Sequence, residues 1–356
     1  MTRLRRPLGA PPCAACAPRS GSRSGAVAFG MRLLVTGGAG YVGSVTVETL
    51  IDAGFEVVVI DDLRSGHRDA VHPDAHFVVA NVADEEAVRA ALREQPCDAL
   101  LHFAALSLVD ASMRDPHAYF HNNVAGTLAL LRAVAAEGVE RVVFSSTAAL
   151  YGTPDRTPIP ESATLAPESV YGETKLHIER SLQWLARTTG LASVSLRYFN
   201  AAGASEARGE DHRPESHLIP IVLQAASGAR AEVRIFGDDY PTPDGTAVRD
   251  YIHVLDLADA HRLALSALEP GEAKAFNLGN GAGASVAEVI DTVREVTGRD
   301  VVTTVAPRRA GDSPVLVADA SLARRELGWQ PQRPSLAEIV ADAWRWRQAN
   351  PDGYGA

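Results

Sequence analysis

The sequence predicts an α/β fold, a doubly wound parallel sheet followed by a smaller C-terminal α/β domain, on three observations. Short β-branched runs alternate with Ala-rich amphipathic stretches from Met31 onward. A glycine-rich turn joins the first run to the first stretch. Beyond Asn200 the chain becomes richer in Gly, Pro and Asp, and its elements shorten.

In chain order, RLLVT (32–36), EVVVIDD (56–62), DALLHFAA (98–105), RVVFSST (141–147) and SVSLRYFN (193–200) read as strands. Between them SVTVETLIDAG (44–54), EEAVRAALREQ (85–95), TLALLRAVAAEG (127–138) and VYGETKLHIERSLQWLARTTG (170–190) read as helices. Buried parallel strands are apolar on both faces, as these are, and helices on both sides of such a sheet make a nucleotide-binding Rossmann domain. Residues 31–200 are assigned to it, and 201–350 mainly to a substrate domain from which some segments return to the first. Residues 1–30 carry five arginines and no acid; they read as a disordered tail, or as translated from a start upstream of Met31.

Composition narrows the function. With 356 residues, 46% hydrophobic, the chain can bury a sizeable core, and a net charge of −10 argues against nucleic acid or an anionic membrane as partner. No apolar run reaches the length of a membrane span, so a cytoplasmic protein is expected. Three cysteines build neither a disulfide framework nor a thiolate metal site. His102, His212 and His253 lie too far apart for a zinc motif, and no metal is expected.

Gly37, Gly40 and Gly43 punctuate the turn between the first strand and helix as G-x-x-G-x-x-G. Glycine lets the backbone approach a pyrophosphate, which the helix N-terminus then meets with unpaired amides. Asp61 ends the second strand 18 residues past Gly43, where a carboxylate accepts from ribose hydroxyls and repels a 2′-phosphate; this favours NAD over NADP.

Tyr171 and Lys175 stand at i, i+4 near a helix start, on one face. A phenol titrates near pH 10 and needs a neighbouring cation to act as a base at neutral pH. Ser145, Ser146 and Thr147 end a strand at the carboxyl edge of the sheet, where open α/β sheets bind ligands.

These residues together resemble the extended short-chain dehydrogenase/reductase family, from Met31 to about Trp346. Within it the chain is similar to the UDP-glucose 4-epimerases, through HFAA (102–105), SSTAALYG (145–152), YGETK (171–175), RYFNAAG (197–203), HLIP (217–220), YPTPDGTAVRDYIHV (240–254) and PRRAGD (307–312). The resemblance implies NAD-dependent interconversion of UDP-glucose and UDP-galactose. Tyr171 takes the 4′-hydroxyl proton, Thr147 bonds the same oxygen, and Lys175 holds the nicotinamide ribose and depresses the phenol. Hydride leaves C4′, the 4-keto sugar swings about its pyrophosphate, and the hydride returns to the other face.

The resemblance also implies that NAD is lined by Tyr41, Val42, Asp61, Asp62, Leu63, Arg64, Ser65, Gly66, Asn81, Val82, Phe103, Ala104, Ala105, Leu106, Ser107, Asn122 and Phe199. It assigns Asn200, His217, Leu218, Arg234, Ile235, Phe236, Arg249, Arg309 and Asp312 to the UDP-sugar, with two arginines on the diphosphate and Phe236 near the uracil. Asn81 and Ser107 stand where Asp and Lys are frequent. Leu316 occupies a place where a bulky aromatic excludes N-acetylated sugars and a small residue admits them, which leaves that choice open. A homodimer is implied in the same way. Among alternatives, Ala148 and Ala149 occupy the places of a dehydratase's acid and base, and a non-catalytic dinucleotide-binding protein would be expected to lose Tyr171 and Lys175. An epimerase acting on UDP-N-acetylglucosamine or UDP-glucuronate is the nearer rival.

Overall fold

The structure, a computed structural model, describes residues 30–309 and 312–355. The tail assigned to residues 1–30 therefore lies outside the described residues except for Gly30. The first half runs β1 (Arg32–Thr36), α1 (Tyr41–Asp52), β2 (Glu56–Asp61), β3 (His76–Val79), α2 (Glu85–Glu94), β4 (Ala99–His102), α3 (Val109–Arg114) and α4 (Pro116–Tyr119). It continues through α5 (Gly126–Ala136), β5 (Arg141–Ser145), α6 (Val170–Thr189), β6 (Ala192–Tyr198) and β7 (Asn200–Ala202). The second half runs α7 (Leu218–Ala226), β8 (Val233–Phe236), β9 (Val248–Arg249), β10 (Tyr251–His253), α8 (Val254–Ala264), β11 (Ala273–Leu278), β12 (Ala284–Ser285) and α9 (Val286–Thr297). It ends with β13 (Thr303–Ala306), β14 (Val315–Leu316), α10 (Ser321–Glu326) and α11 (Leu336–Ala349).

Seven strands form one parallel sheet in the order β11-β6-β5-β4-β1-β2-β3. Strand alternation divides its side chains between two cores. Leu33 and Val35 of β1, with Val57, Val59 and Leu101, pack against Val47 and Leu50 of α1 and Leu257, Ala260 and Ala264 of α8. Leu34, Val58, Ile60, Leu100 and Phe144 face the other way, onto Val88 of α2, Leu130 and Val134 of α5, and Ile178 and Leu182 of α6. The period of two along each strand is therefore what lays helices on both faces, and it stacks every βα turn at one edge.

A third core gathers α7, α9 and α11 around Val222, Val289, Ile290, Ile339 and Val340. Small sheets frame it: β7 with β10, β8 with β13, and β12-β9-β14. Two parts of the second half join the large sheet: β11 pairs with β6, and α8 packs along α1. Neither β3 nor β11 is among the strands expected from the sequence. The side chains of β3 are half-buried or exposed, so its apolar run is short and weak.

Candidate active site

The glycine turn lies where β1 gives way to α1, at the carboxyl edge of the sheet. Gly37 has φ +75° and lies so close to the next loop that a Cβ there would come 2.5 Å from the Ala104 amide nitrogen. A Cβ on Gly43 would sit 2.1 Å from the Gly37 carbonyl oxygen. Gly40 caps α1 without a side-chain cap, so the first-turn amides keep their positive end for an anion. The side chains of Tyr41 and Val42 pack inward, and the Tyr41 hydroxyl donates to the Gly203 carbonyl at 2.7 Å. Only the backbone of this turn is left for a ligand.

Asp61 is buried, and its two oxygens accept from Ala39 N at 3.1 Å and Leu63 N at 2.8 Å. It thus ties the glycine turn to the end of β2, and burial raises its carboxyl although both amides pull it down. Leu63 adopts φ +59° to make this turn. Asp62 pairs with Arg64 at 3.1 Å and accepts from Asn81 at 2.9 Å, while Arg64 also donates to Asn122 at 3.1 Å. Val82 is buried, and Ser65 and Ser107 are exposed. Phe103 packs on the His261 ring at 4.6 Å.

Asn123, which the sequence reading did not single out, clamps the loop between β4 and α3. It donates to the Leu106 carbonyl at 2.9 Å, accepts from Leu106 N at 2.8 Å and reaches Thr174 on α6 at 3.2 Å. Nothing local sets it apart, because it follows His121 and Asn122 in a mixed polar stretch. Ser112 was missed in the same way; its hydroxyl accepts from Tyr171 N at 3.1 Å and so fixes the start of α6.

Ser169 caps α6, accepting from Gly172 N at 3.1 Å, which puts Tyr171 in the first turn and Lys175 one turn on. Thr147 caps the 3-10 turn after β5, and its hydroxyl lies near enough to the Tyr171 phenol to lower its pKa. Lys175 is 2% exposed; its Nζ donates to the Ser145 carbonyl at 2.8 Å and lies 5.9 Å from the centre of the Tyr171 ring. Burial pushes the phenol well above its ordinary range, the nearby Tyr198 and Tyr119 add to this, and the Thr147 hydroxyl lowers it. Burial also draws the Lys175 amine down to about 7. The expectation that Lys175 depresses the phenol is not met by the protein groups alone, because desolvation penalises phenolate and ammonium together.

Two other hydroxyls of the serine-threonine run are engaged elsewhere. Ser145 Oγ bonds the Tyr198 hydroxyl at 2.5 Å. Ser146 Oγ donates to Glu179 at 2.6 Å, and Glu179 pairs with buried Arg197, which in turn donates to Tyr151 at 2.9 Å. Thr147 is the member left facing Tyr171.

On the second half, the Arg309 guanidinium stacks 4.1 Å from the Phe236 ring centre, and Arg249 forms an ion pair with Asp312. Leu316 on β14 is in register with Arg249 on β9, and it packs with Ala148, Tyr151 and Phe199 around the turn that follows β5. Asn200 starts β7, in register with Tyr251, while Ile235 and Leu218 partly bury against the third core. Arg234 is two-thirds exposed and pairs with Glu232 at 3.6 Å, not with another of these residues.

His217 precedes α7 beside Glu210 at 2.7 Å and Glu215 at 3.2 Å. Burial alone would raise the Glu210 carboxyl, but His217 and His212 hold it down to about 2. His102 and His253 are instead buried among hydrogen bonds, the first to Thr36 at 2.7 Å and Thr127 at 2.8 Å, the second to Asp342 at 3.2 Å.

Among described residues no helix is long and apolar enough to cross a membrane. Residues 33–279 match the profile of the NAD dependent epimerase/dehydratase family. The UDP-glucose 4-epimerase of Streptococcus mutans is 50% identical over 91% of this chain and 99% of its own length. That of Streptomyces lividans is 51% identical over 91% of this chain and 98% of its own. A solved structure of the UDP-glucose 4-epimerase of Stenotrophomonas maltophila, with bound NAD and formylated UDP-arabinopyranose, superposes with a TM-score of 0.86 at 44% identity, covering 90% of this chain and 98% of that one.

Proposed function

Since this chain belongs to the NAD dependent epimerase/dehydratase family, we propose that it interconverts UDP-glucose and UDP-galactose, with NAD held at the glycine turn. The observation that carries the reading is the approach of Thr147 and Lys175 to one phenol, Tyr171, at the carboxyl edge of a dinucleotide-type sheet.

The cradle fits a dinucleotide. Side chains are excluded at Gly37 and Gly43, and α1 opens with uncapped amides for a diphosphate. Asp61 and the segment to Gly66 stand at the end of the neighbouring strand, on the adenosine-ribose side. Bound NAD supplies the acceptor for the C4′ hydride and the source from which it returns.

The chain's own residues do the rest. Thr147 and Tyr171 both bond the 4′-oxygen, and Tyr171 takes its proton. The phenol's high proton affinity is relieved when cationic charge faces it across the cleft, and Lys175 adds to that charge by donating to the ribose. Arg249 and Arg309 hold the diphosphate in their planar forks while Phe236 covers the uracil. Anchored at that end, the 4-keto sugar turns over and accepts hydride on its opposite face, and Tyr171 gives the proton back.

A homodimer goes with this reading. Val109, Met113, Phe120 and Leu128 are apolar and exposed on the successive helical turns from α3 to α5. A cytoplasmic location goes with it as well, because NAD and UDP-sugars are metabolites of the cell interior.

The test is to incubate the protein with UDP-galactose and to follow the C4 epimers by NMR, beside Tyr171→Phe. Conversion by the wild type, lowered roughly 10²–10⁴-fold in the variant with NAD still bound, is the expected result. A variant that turns over normally, or a wild type inert even with NAD added, would overturn the proposal.

A further inference from the structure

The run Glu210-x-His212-x-x-Glu215-x-His217, between β7 and α7, gathers four donor atoms that all lie within 4.8 Å of one another. Both histidine Nδ1 atoms face one Glu210 oxygen, at 3.1 Å from His212 and 2.7 Å from His217, and they face different oxygens of Glu215, His212 at 3.9 Å and His217 at 3.2 Å. We propose that these four side chains form a zinc site, with two imidazole nitrogens and two carboxylates as ligands.

Charge is the first argument. The Glu210 and Glu215 side chains are only 7% and 5% exposed, and buried carboxylates are characteristically paired with cations or coordinated to metals. The two ring centres are 5.1 Å apart and both Nδ1 atoms are turned on one Glu210 oxygen. A divalent cation supplies positive charge at one point between the carboxylates and takes a lone pair from each ring.

Geometry is the second. Zinc bonds of about 2.1 Å in a tetrahedron place ligands about 3.4 Å apart. The three distances that share single oxygens, 3.1, 2.7 and 3.2 Å, lie a little below that spacing, so the donors have only to spread slightly for an ion to enter. Nitrogen and carboxylate donors without thiolate suit zinc among the common divalent ions, and a tetrahedral set of four is what it prefers.

The position gives the site a use. His212 meets the ring of Tyr41 edge-on at 6.4 Å, in the first turn of α1, while His217 stands at the entrance to α7. A metal here fixes the loop that runs from beside α1 to the start of α7. With Nδ1 on the metal, the Nε2–H of His217 becomes a fixed donor.

The site does not depend on the epimerase reading, so its test uses metal uptake instead of turnover. The full chain, stripped with a chelator and dialysed, is titrated with Zn²⁺ by calorimetry, and a second portion is loaded with Co²⁺ for absorption spectroscopy. One submicromolar Zn²⁺ per chain is expected, with the intense visible bands of tetrahedral cobalt. His212→Ala and Glu215→Gln should each weaken uptake at least tenfold while circular dichroism stays unchanged. Failure of the wild type to take up zinc overturns the proposal, and so does uptake that neither variant weakens. If the variants fail to fold, the cobalt spectrum decides: weak octahedral bands, or none, sink it.

Discussion

Lys175 donates to the Ser145 carbonyl at 2.8 Å and so lies 4.8 Å from the centre of the Phe144 ring, with almost no access to water. An ammonium in that setting keeps one hydrogen bond and a ring face but loses its hydration. The protein holds its amine near 7 at the expense of its own stability.

That cost has a sign. The folded-state value lies below the 10.5 of a free lysine, so between those limits the unfolded chain binds more protons, and stability falls as pH drops from above 10 towards 7. Lys175→Met should therefore be inactive yet more stable at pH 7, on the order of 2 kcal/mol after the lost hydrogen bond is allowed for. Urea unfolding at pH 7 and pH 10 checks this. A variant less stable than the wild type at pH 7, with no gain relative to pH 10, contradicts it.

His102 predicts the acid limb. Burial, and next to it the Lys175 charge, lower its value from 6.5 to about 3. Its contribution is whole above pH 6.5 and is lost as pH falls towards 3, because only the unfolded chain takes up the proton. By pH 4 the loss reaches about 3 kcal/mol. His102→Gln, which keeps polar atoms near Thr36 and Thr127, should flatten the decline of the urea midpoint between pH 7 and 4; an unchanged slope would assign the acid limb to other groups.

Leu316 predicts selectivity. It packs with Ala148, Tyr151 and Phe199 and is in register with Arg249, so on the proposed reading its volume limits the space for the sugar. Leu316→Tyr should abolish any turnover of UDP-N-acetylgalactosamine and spare that of UDP-galactose, while Leu316→Gly should raise the ratio of the two kcat/KM values about tenfold or more. Equal ratios in both variants would remove Leu316 from the specificity surface.

Arg309 predicts anchoring. Its guanidinium is already spread over the Phe236 ring, which restricts the fork before any diphosphate arrives. Arg309→Lys should raise KM for UDP-galactose roughly tenfold or more, with Kd for NAD unchanged. A shift in the NAD affinity alone would place the arginine on the other nucleotide.

Much of this arrangement was legible in the residues themselves. Runs such as RLLVT and RVVFS bury on both faces and therefore announce themselves, and Gly37 and Gly43 answer to a close approach that any side chain would block. The His76–Val79 strand escaped notice because its half-wet side chains leave no continuous apolar run. Asn123 and Ser112 act through partners up to 59 positions away, and no local pattern carries such a distance. The run 210–217 holds Glu210, His212, Glu215 and His217 within eight residues, far closer together than His212 stands to His102 or His253.

The seventh strand of the sheet, β11, is made from residues 273–278 and closes against β6, whose own residues end at 198. A nascent chain that has emerged only as far as Asn200 must expose the whole flank of β6 with its amides and carbonyls unmated. Such a flank invites the same flank of another chain. Some seventy further residues have to leave the ribosome before the molecule can cover it, so the late strand sets an interval in synthesis during which this protein depends on being kept apart from its copies.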